Sequence, residues 1–139
     1  MPMPEQVVSS NLLDLARQAR EWAYAPYSRF QVGAALQTKD GRVFQGCNVE
    51  NAAYGLCNCA ERTALFSAIA AGCKPGDFSA IAVIADTPEP VTPCGSCRQV
   101  LAELCSSDMP VLLANVAGAS RQTTVEALLP HGFRLAPSH

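Results

Sequence analysis

Three cysteines, one glutamate and one arginine are the chemically distinctive residues of this chain. They lie in Cys59-Ala60-Glu61-Arg62 and in Pro93-Cys94-Gly95-Ser96-Cys97. Thiolates suit Zn²⁺, and a Cys-x-x-Cys at a helix start places two sulfurs on one ion. Cys59 supplies a third sulfur from elsewhere in the chain, so one zinc per chain is expected. Three protein ligands is the count of a catalytic zinc site, which leaves a position open to water. Glu61 lies two residues beyond a ligand, near enough to handle that water's proton without taking its place. Arg62 follows Cys59 by three residues on the same helix face, so its guanidinium can donate to the ligand sulfurs and offset their negative charge. Arg98 either does the same or is a solvated charge. The alternative is a closed structural site in which Cys57 is the fourth ligand, although Cys57-Asn-Cys59 is tighter than the Cys-x₂₋₄-Cys spacing of such sites.

The elements that must carry these residues follow from periodicity. Val8, Leu12, Leu15, Ala16, Ala19, Trp22 and Ala23 recur at steps of three and four. That predicts an amphipathic helix with this stripe on the core, ended by Pro26. Residues 30–38 alternate, with Phe30, Val32, Ala34 and Leu36 on one face; Asp40-Gly41 supplies a turn and 43–49 a second strand, which makes a hairpin. Residues 51–58 read as a loop. A second helix starts near Cys59 and stops at Gly72. Residues 78–85 and 110–116 are apolar runs typical of strands covered on both faces. Between them lie the proline-rich stretch 87–93 and a third helix over 95–104. Residues 121–123 suggest a short edge strand, and Thr123-x-x-Glu126 a capping box for a short helix ending before Pro130. Residues 130–139 carry no recognisable element. A hairpin followed by strands separated by helices implies an α/β fold, a mixed sheet with helices on both faces.

Composition narrows the class. The chain has 139 residues, 49% hydrophobic and 16% charged, enough for one domain with a real core; residues 1–139 are read as a single domain. Net charge is −2 without any run of Lys or Arg, which argues against a nucleic-acid partner. No stretch is long and apolar enough for a membrane span, and the first residues lack the pattern of a signal peptide. Seven cysteines is an odd number, three of them at metal spacing, so a reduced cytoplasmic protein is expected. Cys47, Cys57, Cys73 and Cys105 are then small core residues. His131 and His139 match no catalytic or ligand pattern and read as solvated surface.

Cys-Ala-Glu followed by Pro-Cys-x-x-Cys resembles the zinc deaminases of nucleosides and nucleobases. Cysteine at position 59 is similar to the short-chain cytidine deaminases in particular. The likeness includes Tyr24-Ala-Pro-Tyr-Ser, Phe30-Gln-Val-Gly-Ala-Ala, Gly46-Cys-Asn-Val-Glu-Asn-Ala-Ala-Tyr54, residues 59–66 and Leu128-Leu-Pro, and spans roughly residues 5–133. It implies a three-layer α/β/α sandwich around a five-stranded mixed sheet. It also implies hydrolytic deamination of cytidine and 2′-deoxycytidine to uridine and 2′-deoxyuridine with loss of ammonia, a step of pyrimidine salvage. Glu61 would be the proton carrier. Asn48 and Glu50, two apart on a strand, share a face and suit sugar hydroxyls; the resemblance implies that they hold the ribose, and the plain alternative is an exposed strand end. Phe30 is similar to the family's aromatic wall of the nucleoside site, or is ordinary core. The backbone at Ala60 would meet the pyrimidine's polar edge. Ala52, Tyr54 and Phe133 match residues that enter a neighbouring subunit's pocket, which implies a homotetramer with shared sites; the alternative is packing within one chain. The rival activities are a zinc deaminase of another aminopyrimidine or of a nucleoside antibiotic, and a non-catalytic interaction domain stabilised by zinc.

Overall fold

The structure, a computed structural model, describes residues 11–135. The chain forms α1 (Leu12–Arg20), β1 (Val32–Thr38), β2 (Val43–Cys47), a 3₁₀ turn (Tyr54–Leu56), α2 (Ala60–Ala70), β3 (Phe78–Ala85), α3 (Gly95–Leu104), β4 (Pro110–Asn115), β5 (Ser120–Thr124) and α4 (Val125–Leu128). The strands make one five-stranded sheet in the order β2-β1-β3-β4-β5. β1 is antiparallel to both β2 and β3, β3 is parallel to β4, and β5 is antiparallel to β4. The mixed sheet is therefore as expected, and so are its two covered faces. On one face Leu12 and Ala16 of α1 pack with Ala35, Ala82 and Ile84. On the other, Ala64, Leu65, Leu101 and Val125 of α2, α3 and α4 pack with Leu36, Ile81, Val83 and Val111. β3 lies at the centre, and its near-continuous apolar sequence reflects burial on both sides.

This topology decides where chemistry can be placed. β2 and β3 run in the same direction, because each is antiparallel to β1. α2 follows β2 and α3 follows β3, so both helices begin beyond the carboxyl ends of their strands, where open α/β sheets bind ligands. β1 starts at that same edge. Two glycines let the helices approach closely. A Cβ at Gly46 would lie 2.4 Å from the Ala60 carbonyl oxygen, and one at Gly33 only 2.0 Å from that of Ala16. Gly46 thus admits the first turn of α2 to the backbone of β2, and Gly33 admits α1 to the opposite face of β1.

Several boundaries differ from the sequence reading. α1 ends at Arg20, well before Pro26, and Trp22 is 56% exposed instead of on the core stripe. The chain leaves the helix because Tyr24 pairs with the next strand's extension: its N–H donates to the Asn48 carbonyl (3.0 Å) and its carbonyl accepts from Glu50 N–H (2.8 Å). Val8 lies outside the described residues. β1 begins at Val32, and Phe30 precedes it, 42% exposed, so Phe30 is not core. The ladder of β2 ends at Cys47; Val49 continues only as isolated bridges to Tyr24 and Asn58. β4 stops at Asn115, and β5 is longer than expected by one residue at each end. The cap of α4 is Thr124, whose hydroxyl accepts from Ala127 N–H (3.1 Å); Thr123 is instead paired in β5 with Val111. Cys73 and Cys105 are buried, whereas Cys47 and Cys57 are only partly so. His131 is exposed, and His139 lies outside the described residues.

Candidate metal centre and active site

The three expected ligands come together at the two helix starts. Cys59 is the N-cap of α2, Cys94 is the N-cap of α3, and Cys97 lies in the first turn of α3. Their sulfurs all lie within 4.8 Å of one another, with Cys59 and Cys94 Sγ 3.6 Å apart. The Cys97 N–H donates to Cys94 Sγ at 3.4 Å. Helix starts present unpaired N–H groups and a positive dipole end, both of which favour thiolate. Cys97 beside it, then the Arg62 guanidinium and Cys94, hold the Cys59 thiol well below its usual range. Cys97 is pushed the other way by Cys59, by burial and by Glu61. Arg62 lies beside Cys59, and its Nη2 donates to that sulfur at 3.2 Å. The donor set fits Zn²⁺: three soft sulfurs converge on one point, with a cation beside them.

Cys57 is not part of this group. Its Sγ accepts from Asn51 N–H (3.4 Å) and donates to the Asn51 carbonyl (3.6 Å). Among the described residues the cluster stops at three cysteines, which is the count of an open site.

Beside the sulfurs is a cavity of about 650 Å³, whose lining includes Phe30, Asn48, Glu50, Tyr54, Cys59, Glu61, Arg62 and Cys94. Glu61 is 4% exposed, on the first turn of α2. Burial, and secondarily the charge on Cys59, push its carboxyl up to about 7. A carboxyl poised there both gives and takes protons near neutral pH.

Asn48 and Glu50 line the cavity but also hold its wall. Asn48 Oδ1 accepts from Val32 N–H (2.9 Å), and Nδ2 donates to the Phe30 carbonyl (2.7 Å). Glu50 Oε1 accepts from the N–H groups of Tyr27 (3.0 Å) and Ser28 (3.1 Å), and Oε2 accepts from the Ser28 hydroxyl. Those bonds, the Ser28 hydroxyl foremost, hold the Glu50 carboxyl below its ordinary range, so it is ionised at neutral pH. The two residues thereby fix the segment that presents Phe30.

Other expected residues stand apart. Ala60 is fully buried, and only its backbone, as the first residue of α2, is relevant to a ligand. Ala52 is exposed and Phe133 is 67% exposed, and neither lines the cavity of its own chain. Arg98 takes neither of its expected roles: it bonds backbone carbonyls of Pro93 and Leu128. Sequence reasoning missed Ser28, Val32, Asn58, Thr92 and Ser96 in the lining. Ser28 left a signal, since a serine two residues before Phe30 matches a turn in which the hydroxyl accepts that residue's N–H (3.0 Å). Asn58 left none, because it acts through Thr63, whose hydroxyl donates to the Cys59 carbonyl.

Comparison with known proteins agrees with this geometry. The family described as "Cytidine and deoxycytidylate deaminase zinc-binding region" matches residues 7–113. A cytidine deaminase of Halalkalibacterium halodurans is 61% identical over 122 residues, covering 88% of this chain and 91% of that protein. A cytidine deaminase of Sporosarcina psychrophila is 54% identical, covering 88% of each. The crystal structure of cytidine deaminase from Burkholderia pseudomallei superposes with a TM-score of 0.89 at 59% identity, covering 91% of this chain and 100% of that one.

Proposed function

The chain belongs to the cytidine and deoxycytidylate deaminase family, and from that premise we propose that it hydrolyses cytidine and 2′-deoxycytidine to uridine and 2′-deoxyuridine, releasing ammonia. The observation that carries this reading is a buried carboxyl, Glu61, at a cavity it shares with two of three convergent cysteines. Cys59, Cys94 and Cys97 hold one zinc. When bound, the zinc supplies Lewis acidity that makes a water nucleophilic at neutral pH.

The remaining work belongs to the chain. Hydrolysis requires that water attack C4 of the pyrimidine, that N3 gain a proton as C4 becomes tetrahedral, and that the amino nitrogen gain one before it leaves. Glu61 takes protons from the attacking water and delivers them to N3 and then to the amino nitrogen, so atoms and charge balance across water plus amine giving carbonyl plus ammonia. Its place beside the sulfurs and in the cavity lining suits both directions of transfer. Phe30 offers a face on which the base stacks. Asn48 and Glu50 each keep hydrogen-bonding capacity beyond their structural bonds, which suits a ribose hydroxyl. The α2 N-terminus at Ala60 offers backbone N–H to the pyrimidine's polar edge.

The reading extends to context. The chain acts as one domain, as a homotetramer whose sites are completed by Ala52, Tyr54 and Phe133 of neighbouring copies; of these Tyr54, 88% exposed, also lines the cavity of its own chain. It takes a small nucleoside and not a polynucleotide, which accords with a net charge of −2. No helix among the described residues is long and apolar enough to cross a membrane, and a cytoplasmic role in pyrimidine salvage fits the unpaired cysteines.

The decisive experiment follows the ultraviolet absorbance of cytidine after addition of zinc-loaded protein, repeated over deoxycytidine, free cytosine and other aminopyrimidine nucleosides. Loss of absorbance with cytidine and deoxycytidine is expected. A zinc-loaded protein that leaves every member of the panel unchanged defeats the proposal and favours a non-catalytic domain.

A further inference from the structure

The loop that carries Cys94 and the C-terminal segment meet at one side chain. Arg98 follows Cys97 on α3 and is half-buried. Its Nε donates to the Pro93 carbonyl at 2.8 Å and its Nη1 to the Leu128 carbonyl at 3.0 Å. Pro93 immediately precedes Cys94, and Leu128 is the last residue of α4. The next residue on α3, Gln99, donates from Nε2 to the Phe133 carbonyl at 2.9 Å. Two consecutive residues of the ligand-bearing helix therefore grip the chain at 128 and 133. A helix's last carbonyls lack intrahelical partners, so Leu128 needs a donor from outside. The planar guanidinium fork supplies two N–H groups in fixed relation, which a lysine ammonium does not.

We infer that Arg98 is a positioning residue that clamps the Pro93-Cys94 loop to the C-terminal segment, so that retention of the metal and seating of that segment are coupled. The inference rests on Cys59, Cys94 and Cys97 being the zinc ligands. Arg98 touches no sulfur. It acts through the Pro93 carbonyl, and so on the backbone that aims Cys94, whose extended φ of −69° and ψ of 169° put its Sγ within reach of the Cys97 N–H. Coupling of this kind is reciprocal: bound zinc steadies the segment, and a seated segment slows loss of zinc.

The test compares wild type with Arg98→Ala, Arg98→Gln and Arg98→Lys, each loaded with zinc and checked for unchanged circular dichroism. The first readout is the rate of zinc transfer to an excess of chromogenic chelator. The second is the rate at which trypsin cuts after the exposed Arg134. Loss of partners that support a metal's ligands commonly costs about 10–100-fold in metal affinity, so zinc transfer from Arg98→Ala and Arg98→Gln should quicken by that order while cleavage after Arg134 also accelerates. Arg98→Lys, which keeps the charge without the fork, should fall between these and wild type in both readouts. If Arg98→Ala does not fold, Arg98→Gln decides. Movement of one readout without the other, or of neither, overturns the inference while leaving the zinc reading intact. Wild-type protein without stoichiometric zinc refutes the ligand assignment, and the inference with it.

Discussion

Glu61 occupies a position where two effects oppose each other. The first turn of a helix favours a carboxylate, and burial disfavours it. Burial wins, because the side chain is almost wholly covered and Cys59 adds negative charge nearby. The Glu61→Gln variant keeps the shape of the side chain and discards its proton. It should retain zinc and bind nucleoside. General acid–base catalysis is usually worth about 10²- to 10⁴-fold, and because one carboxyl serves several transfers, kcat should fall by the upper figure or more. Steady-state kinetics with elemental analysis of the same sample provides the check, and a variant with a tenth of wild-type kcat refutes the role. Arg62 belongs to the same scale. Its bond to Cys59 Sγ withdraws electron density from the sulfur set. Arg62→Gln should therefore hold zinc with a lower kcat, and full activity in that variant shows that the sulfurs need no compensating cation.

Among the elements, α3 has a thiol at each end, and the two have opposite fates. Cys94 opens the helix as an exposed cap, whereas Cys105, just past its last residue, is buried. Burial pushes the Cys105 thiol from 9.0 up to about 12. A group whose folded value is raised contributes stability that is complete below the unfolded value and is lost as pH climbs toward the folded one. The loss therefore falls between pH 9 and about 12, and its full extent is roughly 4 kcal/mol. Urea unfolding at successive alkaline pH values should show the stability advantage of wild type over Cys105→Ala shrinking across that window; an advantage independent of pH rules out the buried thiol as its source. The elements themselves were largely legible in the sequence. The run 78–85 announced a central strand, Gly72 announced the end of α2, and the spacing of Cys59, Cys94 and Cys97 announced their convergence. What was not legible depends on segments meeting in space. Trp22 looked like core because its helical phase is right, but Tyr24 is drawn off to Asn48 and Glu50 before the helix can reach it. Asn48 and Glu50 read as ligand groups, and nothing local revealed that residues 27–32 would engage their polar atoms. Arg98 was ambiguous for the same reason, since its acceptors are backbone carbonyls that any sequence offers.

For the whole molecule, the notable property is what one copy leaves uncovered. Tyr54, Leu56, Phe133 and Leu135 are each at least 67% exposed. Large apolar side chains left exposed suit association with another copy of the chain, in line with the proposed homotetramer. If Phe133 enters a neighbour's pocket, Phe133→Ala should weaken nucleoside binding without loss of zinc. Stacking of a base on an aromatic ring is worth about 1–3 kcal/mol, which is roughly 5- to 150-fold in affinity. Mixed assemblies give the sharper result. Glu61→Gln chains keep Phe133, and Phe133→Ala chains keep Glu61. Refolded together, they should form pockets with both groups intact and regain activity at low substrate above the sum of the separate variants. If native mass spectrometry of tagged chains shows mixed tetramers and the activity is only additive, Phe133 serves its own chain or none.

The close contacts at Gly33 and Gly46 also have a genetic consequence. Every missense change of a glycine codon installs a Cβ. At these two positions that atom would overlap backbone of α1 and α2 respectively, which no rotamer can relieve. At Gly55 and Gly95 the same atom would meet nothing within 4 Å. A saturation library selected for function should therefore split the glycines into two groups, with blank columns at 33 and 46 and populated ones at 55 and 95. Mutational drift can reach the walls of the cavity beside the sulfurs by single codon steps, but it cannot alter the seam that presses α2 onto β2.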